Sequence, residues 1–274
     1  MSSDSATTAH LFAVPTSILR SGHGITWLSY VGLAEQMQAA EFRQADDALH
    51  FAAQHSLMRV IAATALGVRP TQAAEIPVHR SCLLCTAGGE HGKPRIEGIN
   101  FNMARTPGLA VGVFIAEDMA LEDATQLGVD VERLRGSFFD TYDRISLTQE
   151  ETAALKGEPQ ETAQMIRLML WTGKQAVLKA VGAGLPAGLN SVRCSMDDSP
   201  RSIDEVSGFT TTAVFQRGEA ENKLFHLTWL VQGEYFIAVA LDRPRPVSLH
   251  AVTTPGNKAS VRTSLESDGG GIDS

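Results

Sequence analysis

The sequence predicts an α+β fold in which two similar halves follow each other along one chain. In the first half, helix-period segments precede two β-type runs joined by a turn, and the same order returns about 120 residues later. The length sets the scale: 274 residues at 43% hydrophobic content suffice for one large domain or two small ones, each with its own core. The halves, read as subdomains related by a pseudo-twofold, are expected to span residues 1–127 and 128–245, with the junction near "EDATQLGVDVE".

The elements follow in order. The start "MSSDSATTAH" offers acid and hydroxyl groups where a secretory signal needs a basic region and an apolar run, and no stretch has the length of a membrane span. A cytoplasmic chain with no membrane partner is expected. From "LAEQMQAAEF" through "ALHFAAQHSLMRVIAATALG" apolar residues recur every three or four positions, with Phe51, His55, Met58, Ala62 and Leu66 on one stripe. Two helices fit, the second ending before Gly67, and His55 reads as a packed core histidine. The three cysteines, Cys82, Cys85 and Cys194, are too few for a disulfide framework. Zinc at "CLLC" would need two further ligands, and none stands at a suitable spacing, so Cys82 and Cys85 read as ordinary thiols in or beside a strand.

The polar stretch "TAGGEHGKPRIEG" leads into "INFNMARTPGLAVGVFIA", two β-type runs about a Pro-Gly turn. "LGVDVERL" alternates Val129 and Val131 with Asp130 and Glu132, so one strand face carries both carboxylates while the other faces a core. In "SLTQEETAAL" either Ser146 with Gln149 or Thr148 with Glu151 is placed for a capping box. A long helix follows in "ETAQMIRLMLWTGKQAVLKAVG", and "KLFHLTWLVQGEYFIAVAL" gives the second hairpin. Residues 246–274 are Ser, Thr and Gly-rich without an apolar period and are expected to form a disordered tail without function.

The charge balance, 23 basic against 31 acidic residues for a net −8, argues against sequence-independent nucleic-acid binding, which draws its affinity from neutralised phosphates. An anionic ligand must meet a local basic cluster. Asp130 and Glu132, at i and i+2 on a strand, can share one cation; they can equally form a solvated acidic face. Gln175 and Lys179 lie at i and i+4 on one helix face, with Lys174 on the adjoining edge, three residues from Trp171. Together with Lys93 and Arg95 in "HGKPR" and with Arg105, two acids and several cations make the pattern for a metal-bridged polyphosphate.

These residues carry a resemblance. "HGKP", "FN" before a turn and strand, "GVDVE", and "WTGKQAVLKAVGAGL", in this order, resemble the 4'-phosphopantetheinyl transferases of the surfactin type over roughly residues 40–240. The segment "FAAQHSLMR" is similar to the early helix of that family, with Arg59 near its end. The resemblance implies the phosphopantetheinyl-transferase fold of two similar α+β halves. It also implies Mg²⁺-dependent transfer of the phosphopantetheine arm of coenzyme A to a serine of an acyl, peptidyl or aryl carrier protein, releasing adenosine 3',5'-bisphosphate. Asp130 and Glu132 would be metal ligands and, with Gln175 and Lys179, the catalytic set. Lys179 would steady the pyrophosphate, and Lys174 would be a further phosphate contact. Lys93 and Pro94 would meet the nucleotide end, and Arg43, Ala104 and Arg105 the coenzyme A phosphates. A monomer acting on coenzyme A and an apo carrier protein is expected.

Three departures from the family pattern bear on activity. Gln175 stands where the family has a glutamate, and an amide cannot accept a proton. "FNMART" replaces the family's Ser-His with Ala104 and Arg105, which keeps a cation but loses a hydroxyl. "EFRQADDALH" offers Arg43 alone, beside Asp46 and Asp47, where several basic residues are usual. Two functions follow: an active transferase, or a catalytically impaired homologue that binds coenzyme A or a carrier protein in a structural or regulatory role.

Overall fold

The structure is a computed structural model that describes residues 8–16, 30–81, 92–115, 124–134, 141–217 and 221–251. Contacts divide the chain into two compact units, one drawn from residues 1–79, 94–124 and 246–274, the other from 80–93 and 125–245. Residues 80–93 thus belong to the second unit, and the C-terminal segment from residue 246 to the first.

The first unit holds β1 (Ala9–Pro15), α1 (Leu33–Ala40), α2 (Ala45–Ala65), β4 (Asn100–Thr106), β5 (Leu109–Ile115) and β11 (Val247–Ala251); the short strands β2 (His79–Ser81) and β3 (Lys93–Arg95) pair with each other. Its sheet runs β11-β1-β5-β4, with β11 parallel to β1 from Ala9↔Val247 to Ala13↔Ala251 and the other pairs antiparallel. The β4–β5 turn is Pro107-Gly108, as the sequence anticipates. α2 packs on this hairpin, and Phe12, Leu57, Met58, Ile61, Phe101 and Phe114 form the core beneath it. His55 is a core histidine, stacked on Phe51 at 4.0 Å and bonded through Nδ1 to Glu35 at 2.8 Å. Glu35 also accepts from Arg59 Nε at 2.5 Å and from the Gly32 amide at 2.8 Å. Burial favours the neutral form of Glu35, but the bonds from His55, Arg59 and Gly32 outweigh it and hold the carboxyl below its usual value.

β11 corrects the expectation for residues 246–274. Five of them form a strand whose ladder to β1 closes across more than two hundred residues of sequence, a pairing that no local period announces. The rest of that stretch, 252–274, lies outside the described residues, as do Cys82 and Cys85.

The second unit holds β6 (Leu127–Arg133), α3 (Tyr142–Ser146), α4 (Gln149–Ala154), α5 (Gln160–Val181), β7 (Val192–Cys194), β8 (Thr210–Arg217), β9 (Glu221–Gln232) and β10 (Tyr235–Leu241). Its antiparallel sheet runs β6-β10-β9-β8-β7. Of the two capping options, Thr148 with Glu151 is the one formed. α5 crosses β6 and β10 over a core of Ile166, Leu170, Val177, Leu227, Trp229 and Phe236, and ends at Gly182, whose φ of 77° is left-handed backbone that favours glycine.

The acidic face of β6 is not solvated. Gly128, Asp130 and Glu132 point to the side that α5 covers, and a Cβ at Gly128 would run into the backbone of Ala176 and Ala180. The helix therefore rests directly on the strand at this glycine, and Asp130 is only 4% exposed. Among the described residues no helix is long and apolar enough to cross a membrane.

Candidate functional site

α5 brings Trp171, Gln175 and Lys179 to one face at four-residue steps, antiparallel to the row Gly128, Asp130 and Glu132 on β6. The two ends of this stripe each hold one carboxylate. Lys179 Nζ donates to Asp130 Oδ1 at 2.5 Å, and Trp171 Nε1 donates to Glu132 Oε1 at 2.8 Å. Gln175 sits between the two donors in sequence, half-buried. Across the sheet, Asp130 is registered with Ala238 and Glu132 with Phe236, so the neighbouring strand supplies no competing polar group at these positions.

Asp130 carries the unusual atom of this group. Its Oδ2 is buried and has no hydrogen-bond partner among the described residues. A buried acceptor without a partner costs about 1–3 kcal/mol. Burial pushes the Asp130 carboxyl above its usual value, and the Lys179 ammonium partly offsets that rise. The orphan oxygen, a second carboxylate two residues along the same strand face and the amide of Gln175 are the donor set that a hard divalent cation takes. The residues thus fit Mg²⁺ through Asp130 and Glu132. No group of three or more His, Cys, Asp or Glu side chains suited to a metal occurs among the described residues.

Lys93 and Lys174 are engaged elsewhere in the same unit. Lys93 Nζ donates to the carbonyls of Leu127 at 2.8 Å and Ala180 at 3.1 Å, clasping the start of β6 to the end of α5; Pro94 follows it in β3. Lys174 is fully buried, and so is Glu151, whose Oε2 accepts its ammonium at 2.6 Å. The ammonium also donates to Ser146 O at 2.6 Å, while Glu151 accepts from the amides of Thr148 and Cys194, both at 2.9 Å. This pair ties α3, α4 and β7 to α5 and leaves Lys174 no path to a phosphate. Burial, with Glu151 beside it, pushes the Cys194 thiol up to about 12, so this cysteine is inert.

In the first unit, Arg105 is half-buried, its guanidinium 5.8 Å from the Phe42 ring centre and 5.4 Å from that of Phe51, and it donates to Gln54 Oε1 at 2.9 Å. Burial pulls this guanidinium below its usual value, with Asp47 opposing the shift. Ala104 is buried in β4 opposite Val111, and Arg43 is exposed in the turn between α1 and α2. Arg59, placed by the resemblance in the early helix, is locked to Glu35 and to the carbonyls of Ala73 and Ile76.

Two contributors escape the sequence reading. Trp171 enters there as a helix landmark, although its four-residue step to Gln175 already puts it on the stripe facing the acids. Glu151 enters as a cap, and its tie to Lys174 depends on a fold that no local spacing announces. Comparison with known proteins agrees with the resemblance: residues 126–240, from the approach to β6 through β10, match the model of the 4'-phosphopantetheinyl transferase superfamily. No curated protein matches the chain.

Proposed function

We propose, from this superfamily match and the β6–α5 site, that the protein moves the 4'-phosphopantetheine arm of coenzyme A onto a serine of an acyl, peptidyl or aryl carrier protein. The observation that carries the proposal is the buried Oδ2 of Asp130, which has no hydrogen-bond partner among the described residues and lies on the strand face it shares with Glu132, next to Lys179. A carboxylate kept in that state costs stability, and its retention makes sense where a cation is to be held. Mg²⁺ bound by Asp130 and Glu132 would supply charge neutralisation and alignment for the pyrophosphate. In the transfer, the serine oxygen bonds to the phosphorus that bears the pantetheine. The bond from that phosphorus to the adenosine phosphate breaks, and the hydroxyl proton ends on the leaving phosphate or in the medium.

Each side chain has a defined share in this reading. Lys179, whose side chain is about one-third exposed, can turn its ammonium to a pyrophosphate oxygen while staying near Asp130. Glu132 is kept facing α5 by Trp171. Gln175 can offer its carbonyl oxygen to a cation and its NH₂ to a phosphate, but it cannot take the serine proton. Arg105, Arg43 and Lys93 remain the candidates for the coenzyme A phosphates and nucleotide end, and Lys174 serves the fold.

The test is incubation with Mg²⁺, coenzyme A and a panel of apo carrier proteins, read by intact mass. Gain of one phosphopantetheine on a carrier, lost with Asp130→Asn, supports the proposal. Gln175 favours a second reading, a homologue that binds coenzyme A or a carrier without transfer. Binding of coenzyme A with no mass gain on any carrier would decide for that reading.

A further inference from the structure

We infer that Trp171 is a positioning residue, which acts through Glu132 to set the affinity of the β6–α5 site for a divalent cation. The inference rests on the proposed metal site and concerns how the chain holds its second carboxylate. A glutamate has three rotatable bonds, and freezing such a side chain costs about 1–2 kcal/mol. If that cost falls when the cation arrives, affinity drops; if the fold has already met it, the ligand is preorganised. Here the indole N–H takes one oxygen of Glu132 at 2.8 Å.

The indole is itself braced. Tyr142, fully buried, lies against the Trp171 ring at 5.6 Å between centroids, and its hydroxyl donates to Arg167 O at 2.9 Å. The Arg167 guanidinium in turn grips Asp143 through two bonds of 2.7 Å each. The donor is thus fixed from behind by α3 and by the preceding turn of α5.

The choice of donor also matters. Asp130 is held by a cation, which competes with a metal for its charge; Glu132 is held by a neutral N–H, which orients the carboxylate and leaves its charge intact.

Trp171→Phe keeps the ring against Tyr142 and deletes the donor. With Mn²⁺ as the probe, titrated in the presence of coenzyme A and followed by the electron paramagnetic resonance of the free ion, affinity should fall about 10- to 100-fold, the usual cost of removing a partner that orients a ligand. Melting temperature should change little. Benzothienylalanine at 171, which has the shape of tryptophan without the N–H, should give the same loss even if phenylalanine disturbs the packing. In a Glu132→Ala background, Trp171→Phe should add no further loss, because its effect runs through that carboxylate. Unchanged Mn²⁺ affinity in both Trp171 variants, or an equal penalty with and without Glu132, would overturn the inference alone. Failure of the unaltered protein to bind Mn²⁺ would overturn the metal site and this inference with it.

Discussion

Lys174 and Lys179 leave the same helix five residues apart, about 140° around its axis, and reach carboxylates that are used very differently. Glu151, at the end of Lys174, has both oxygens engaged by amides and by the ammonium, and neither partner touches solvent. Asp130, at the end of Lys179, has one oxygen engaged and one buried without a partner among the described residues, and its lysine is about one-third exposed. A satisfied buried pair specifies a structure; an unsatisfied one is an open valence. One helix thus carries a structural pair on one side and, on the proposed function, the pair of the transfer site on the other.

The sharpest way to break this comparison is to remove one lysine at a time. Lys174→Met leaves Glu151 charged and buried and should cost about 3–5 kcal/mol in urea unfolding. Lys179→Met should cost less, about 1–3 kcal/mol, because its ammonium already meets water and Asp130 can take up a proton. It should nonetheless abolish most transfer, where any residual activity of Lys174→Met should scale with the folded fraction. Equal stability losses in the two variants would erase the distinction. Gly128→Ala tests the seat of the helix and should cost about 1–3 kcal/mol, because the new methyl pushes α5 off β6. It should lower transfer as well, since the same shift separates Lys179 from Asp130.

Gln175→Glu is the smallest change in shape, but it adds a negative charge at a half-buried position on the stripe facing Asp130 and Glu132 and should cost about 1 kcal/mol in metal-free unfolding. Its effect belongs to the site. A third carboxylate on the helix stripe that faces Asp130 and Glu132 should tighten Mn²⁺ binding and raise turnover, by as much as ~10²-fold if the missing base limits the rate. A lower rate at unchanged coenzyme A affinity would show that the site has been built around the neutral amide.

The pattern of legibility follows the same division. Asp130, Glu132, Gln175 and Lys179 are legible because strand alternation and helix period are local, and both hairpins are legible from their turns. The burial of Asp130 is not, because it depends on a helix that rests on Gly128 and begins some thirty residues later. Lys174 is instructive: Leu170, Val177 and Leu178, its neighbours at three and four residues, are all buried, and that apolar surround was the available sign that this lysine points inward. Strand β1, "AHLFAVP", lacks polar alternation because it is buried along most of its length; β11, "VSLHA", does alternate Val247, Leu249 and Ala251 with Ser248 and His250, but over five residues only, too short a run to stand out from the polar stretch around it.

The central claim is that Asp130 is kept charged and underbonded for function and at the expense of stability, and the unfolding free energy of Asp130→Asn tests it most directly. Burial raises the Asp130 carboxyl above its ordinary 3.8, so the contribution of its protonated form is whole below that value and is lost as pH rises through the raised one. The difference between the unaltered protein and Asp130→Asn in metal-free buffer should therefore open over that rise, and at pH 7 the variant should be as stable as the unaltered protein or more so, while transfer is lost. A variant less stable by more than about 2 kcal/mol at pH 7 would contradict the account, because Asp130 would then be a structural residue like Glu151.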